Sequence, residues 1–66
     1  MMEDNLNFGK GTKVTYKNEF EEEKGIIKSL SGYTHAFVVY NCNNDWENYE
    51  NYTAERTFIG DLEKGW

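Results

Sequence analysis

HAFVVY, residues 35–40, is the stretch on which the architecture of this chain turns. β-Branched and aromatic side chains fill it, and such residues pack well on a pleated surface. Phe37, Val38, Val39 and Tyr40 run together without polar alternation. A short apolar run of this kind predicts burial on both faces, hence a central strand.

Reading towards the amino terminus, SGYT (31–34) is a turn in which Gly32 supplies the permissive backbone. GIIKSL (25–30) is a second strand, with Ile27 and Ser29 expected on the face opposite Ile26 and Lys28. NEFEEEKG (18–25) reads as a solvated loop because of its acid run and closing Gly25. In TKVTYK (12–17), Val14 and Tyr16 alternate with Lys13, Thr15 and Lys17, the period of a half-buried strand. Residues 1–9 show no periodicity and are expected as a flexible tail, which leaves 10–66 as the folded domain. Downstream, YTAERT (52–57) reads as a fourth strand, and FIGDLEKGW (58–66) as a short helical turn and a final strand. Four to five short antiparallel strands, with turns every eight or so to twelve residues, predict an all-β domain. A small closed or nearly closed barrel suits it, because closure hides strand edges.

The 66 residues make one domain at most. A chain of this size buries only about 60% of its unfolded surface. Cys42 is the sole cysteine, so no internal disulfide helps, and with His35 it falls short of a four-ligand zinc site. Two Trp, five Tyr and four Phe are the remaining resource. Self-association into a homo-oligomer would bury more of them. The net charge of −5 argues against nucleic acid as a partner and suits a basic protein partner. No apolar run approaches the ~20 residues of a membrane span. The acidic start MMEDNLNFGK is unlike a secretory signal, and a lone cysteine suits a reducing cytoplasm.

Candidate chemistry centres on NCNNDWENYENYTA (41–54), which holds five Asn, three acids, one Trp and two Tyr. A Cys–His nucleophile fails, because His35 and Cys42 lie roughly 23 Å apart along an extended strand. A calcium loop fails too: counting from Asn41, Trp46 and Tyr52 stand where the EF-hand needs Gly and Glu. Acids clustered in loops make a poor paired-carboxylate hydrolase. No catalytic residue, metal or cofactor is therefore expected. An aromatic surface is the stronger idea. Tyr40, Trp46, Tyr49, Tyr52 and Phe58, with Asp45, Glu47 and Glu50, would attract a cationic group or stack a base. The competing reading has Trp46 and Tyr52 folding back to plug the barrel mouth, while the asparagines shape the loop. Lys10, Lys13, Lys17, Lys28 and Arg56 fall on or beside strands and would suit a phosphorylated ligand if they met. Ordinary solvated lysines are the simpler account. The ligand-binding set expected from the sequence is Tyr40, Asn43, Asp45, Trp46, Tyr49, Tyr52 and Arg56.

GTKVTYK, GIIKSL, AFVVYN and DLEKGW together resemble the small SH3-like barrels of the Tudor and KOW type. FVVYNCNNDWENYENYTAERTFIGDLEKGW is also similar to the carboxy-terminal half of small uncharacterised proteins of bacteriophages and prophages, through its DWxxYxNYT loop and terminal DLxxGW. The resemblance implies an SH3-like barrel and a phage setting in the host cytoplasm, and it carries no established activity. By analogy it implies a non-catalytic anti-defence (host-takeover) factor that binds a host protein or sequesters a small nucleotide signal. The alternative is a nucleic-acid-associated or peptide-binding accessory module, from which the acidic composition departs. Trp46 and Arg56 discriminate the readings. An exposed Trp46 favours a protein partner, and an Arg56 converging with an aromatic across a cleft favours a nucleotide.

Overall fold

A computed structural model describes residues 8–66. Five strands form: β1 (Lys13–Lys17), β2 (Glu22–Ser31), β3 (His35–Val39), β4 (Glu55–Phe58) and β5 (Leu62–Lys64). They make one antiparallel sheet in the order β4-β3-β2-β1-β5. The chain meanders through four strands, and the last returns to the free edge of the first. A 3₁₀ turn at Ile59–Asp61 sets up that return, as FIGDLEKGW predicts. The domain is thus all-β and barrel-like, with β4 and β5 as the sheet's open edges. β3 lies between β2 and β4, so it is an interior strand, although β2 occupies the middle of the sheet.

Strand alternation assigns the two faces. Val14, Ile27, Ala36, Val38 and Leu62 form the principal core, with Tyr16, Tyr40 and Ile59 packed against it. Ile26 and Val39 stand opposite each other in register one residue along, so they share the other face. Both are buried, yet they lie outside the principal cluster, as does buried Cys42. A second 3₁₀ segment, Trp46–Asn51, packs against β2. The unbroken Val38–Val39 pair is therefore apolar for the predicted reason: a residue is buried on each face of β3.

Four expectations change. The solvated loop shrinks to 18–21, because β2 begins at Glu22. There Glu22 and Glu23 face Lys17 and Tyr16 across the hairpin, and Asn18 closes the turn by accepting the Phe20 and Glu21 N–H groups at 2.7 and 2.8 Å. Ser29 does not share a face with Ile27. The register slips between them, leaving Lys28 as the extra residue of a bulge, and one inserted residue reverses the alternation beyond it. β4 starts at Glu55, three positions later than YTAERT suggests. Of the tail expected over 1–9, residues 1–7 lie outside the described residues, whereas Phe8 is buried in the core cluster and the Gly9 N–H bonds Thr12 Oγ1 at 3.2 Å.

Candidate functional site

The seven residues expected to bind a ligand divide between two places. Asn43, Asp45, Trp46, Tyr49 and Tyr52 belong to the 41–54 segment, which lies over the outer face of the sheet. Asn43 and Asn44 adopt positive φ, 54° and 66°, a conformation that short amide side chains tolerate. Asp45 then ties the segment together. Its N–H bonds the Cys42 carbonyl at 2.8 Å, and its carboxylate accepts hydrogen bonds from Asn48 Nδ2 at 2.9 Å and Tyr52 Oη at 3.0 Å. The bond to Asp45, and then burial, push the Tyr52 phenol above its ordinary pKa. The Trp46 ring is half-buried and tilted against Trp66, with centroids 5.0 Å apart. Trp66 in turn donates its indole N–H to the Gly25 carbonyl at 3.0 Å. The Lys13 and Lys24 ammonium groups stand 4.5 and 5.4 Å from its ring. Trp46 and Tyr52 fold back as one reading expects, but over the outer face rather than into the barrel mouth.

The mouth is closed by other rings. Tyr16 and Tyr40 meet edge to face at 6.0 Å and 71°. Tyr40 Oη shares a 2.8 Å hydrogen bond with Thr57 Oγ1, which holds the ring beside β4. Burial pushes the Tyr40 phenol up despite that bond. Around the pair opens a cleft of about 330 Å³ whose lining includes the carboxylates of Glu21, Glu23, Glu55 and Asp61. Arg56 and Phe58 also border it. The Arg56 Nε donates to Ser31 Oγ at 3.1 Å, and the Phe58 ring leans on His35 with centroids 5.6 Å apart. Tyr40 and Arg56 thus share a cleft, the convergence expected of a nucleotide site, and half-buried Trp46 is not the exposed ring expected of a docking loop. The surrounding Glu21, Glu23, Glu55 and Asp61 would nonetheless repel a phosphate, and the 41–54 aromatics do not line the cleft.

Tyr16, Glu21, Glu23, Glu55 and Asp61 were missing from the sequence-based set. The signal for Tyr16 is its inward strand position; Glu21 and Glu23 show only an acid run, which also suits plain solvation, and Glu55 and Asp61 stand as isolated acids with no signal. The five basic residues do not gather in one pocket, although Lys10 and Lys28 border the same hollow. Lys13 goes to Trp66, and Lys17 lies 3.8 and 3.7 Å from Glu22 and Glu63. Lys10 pairs with Glu50 at 2.6 Å, and Lys28 donates to the Tyr52 carbonyl at 2.8 Å. Among the described residues no group of three or more His, Cys, Asp or Glu is arranged to hold a metal ion, and no helix is long and apolar enough to cross a membrane. Compared with protein families, curated proteins and solved structures, the chain matches none of them. The likeness to small phage-encoded barrels therefore rests on its motifs alone.

Proposed function

We propose that this chain is a non-catalytic binding protein whose barrel mouth grips a basic segment of a partner protein. The observation that carries the reading is the Tyr16–Tyr40 pair set among four carboxylates in one cleft. Against those four, Arg56 is the single cation of the lining among the described residues, so acids outnumber bases there. An ammonium or guanidinium group is attracted to a tyrosine face and to nearby carboxylates. Thr57 fixes Tyr40 in advance, so little side-chain freedom is lost on binding. On the motif resemblance, the partner is a host protein met in the host cytoplasm, and occupying its basic segment would block it. Self-association belongs to the same reading, and light scattering measures it directly.

The test is titration of Lys- and Arg-rich peptides against charge-matched acidic and neutral controls. Basic peptides should bind, weaken steeply with added salt, and perturb the amides of Tyr16, Glu23 and Tyr40. The double variant Glu23→Gln/Glu55→Gln should lose about tenfold or more in affinity. Equal binding of neutral and basic peptides, or perturbations remote from the mouth, would rule the reading out.

A further inference from the structure

The outer face carries a second hollow, of about 640 Å³, opposite in chemistry to the mouth. That volume lies within the range typical of small-molecule sites. The bulge in β2 creates it: Lys28, displaced from the ladder, reaches the Tyr52 carbonyl and is held there at 2.8 Å. An ammonium has three N–H donors, and among the described residues Lys28 engages one, so two remain for a ligand. Ser29, reversed to the outer face by the same bulge, stands in register with Phe37. Phe37 is half-buried and offers a ring as the floor of the hollow. Thr53 adds a second hydroxyl to the lining. Among the described residues, neither the Ser29 nor the Thr53 hydroxyl is engaged by a hydrogen bond. Lys10 and Glu50 complete the rim as an exposed ion pair.

We infer that this hollow binds a small phosphorylated ligand bearing a planar ring, such as a nucleoside monophosphate. The phosphate would sit on the Lys28 ammonium and the Ser29 and Thr53 hydroxyls, and the ring on Phe37. A charge-assisted hydrogen bond from an ammonium to phosphate is among the stronger polar contacts, and ring stacking on an aromatic tolerates any base. Glu50 has the opposite effect. Its carboxylate occupies Lys10 and repels the phosphate, so the empty rim is partly self-neutralised and the ligand must compete with Glu50 for Lys10. This site is independent of the mouth, and neither depends on the other being occupied.

The experiment titrates adenosine 5′-monophosphate, adenosine and inorganic phosphate, each separately, into isotope-labelled protein. The monophosphate should shift the Ser29, Phe37 and Thr53 amides, with adenosine and phosphate each about tenfold or more weaker. Lys28→Met should weaken the monophosphate by about tenfold or more. Glu50→Gln should strengthen it about two- to fivefold by freeing Lys10. Should Lys28→Met fail to fold for want of the Tyr52 contact, the exposed Glu50→Gln variant decides alone. Absence of shifts at the hollow, phosphate binding as tightly as the monophosphate, or Glu50→Gln weakening it would each overturn the proposal. Basic-peptide binding at the mouth should be unchanged in both variants.

Discussion

Trp46 and Trp66 lie with their rings 5.0 Å apart and tilted by 50°, so the end of the chain clamps the 41–54 segment onto the sheet. The clamp is anchored at the Gly25 carbonyl by the Trp66 indole N–H. Replacing Trp66 by Ala removes a ring–ring contact and its buried area. The expected cost is about 1–3 kcal/mol. Trp46 should then emit at longer wavelength and be quenched more readily. An unchanged emission maximum in the folded variant would show that Trp46 does not rely on Trp66.

Tyr40 and Thr57 allow ring and hydroxyl to be separated. Tyr40→Phe keeps the edge-to-face contact with Tyr16 and deletes the 2.8 Å bond. Thr57 Oγ1 still has the Glu55 carbonyl at 3.3 Å as an acceptor, so no buried hydroxyl is stranded. The loss should be about 1 kcal/mol, with basic-peptide affinity nearly retained. Tyr40→Ala should abolish that affinity and cost about 3 kcal/mol or more. Denaturant unfolding and calorimetric titration of the two variants read this difference.

Gly25 is required by a close approach. A Cβ there would lie 2.6 Å from Val38 Cγ1 and 3.0 Å from Tyr40 Cδ1. Gly25→Ala should destabilise by about 1–3 kcal/mol through overpacking. It should also displace Tyr40 and weaken the mouth. At Gly32 nothing crowds the added carbon, but φ is +69°. Gly32→Ala should cost about 1–2 kcal/mol through backbone strain alone and leave peptide binding intact. Urea midpoints and peptide titrations for both variants distinguish crowding from strain.

Alkali should destabilise the domain through Tyr40 and Tyr52. The folded state raises the phenol pKa of Tyr52, chiefly through its bond to Asp45, and that of Tyr40, chiefly through burial. A raised value means the folded state holds its proton more tightly. That contribution is complete below the ordinary phenol pKa of about 10. It is lost as pH climbs through the folded values. The melting temperature should therefore fall above about pH 10, along with delayed phenolate absorbance. Tyr52→Phe should flatten part of that fall. A melting temperature that fell equally in the wild type and in the double variant Tyr40→Phe/Tyr52→Phe would refute the assignment.

The strand pattern was written locally. Val14 and Tyr16 alternate, Val38 and Val39 do not, and FIGDLEKGW combines a turn with a strand; each is a property of neighbouring residues, so the all-β architecture and its final strand were legible in the chain, whereas the pairing of that strand with β1 was not. Tertiary pairing decided the rest. The glutamates of 21–23 look the same whether they are solvated or laddered, and only the hairpin register makes Glu22 and Glu23 strand residues. The bulge at Lys28 leaves no mark in composition, yet it turns Ser29 to the outer face. Trp46 advertised an aromatic surface, but its partner, Trp66, lies at the far end of the chain. The mouth draws Tyr16 from β1, Glu23 from β2, Tyr40 from beyond β3 and Glu55 from β4. Side-chain alternation is set by the backbone of one strand, whereas which carboxylate comes to face which ring depends on the register between strands remote in sequence.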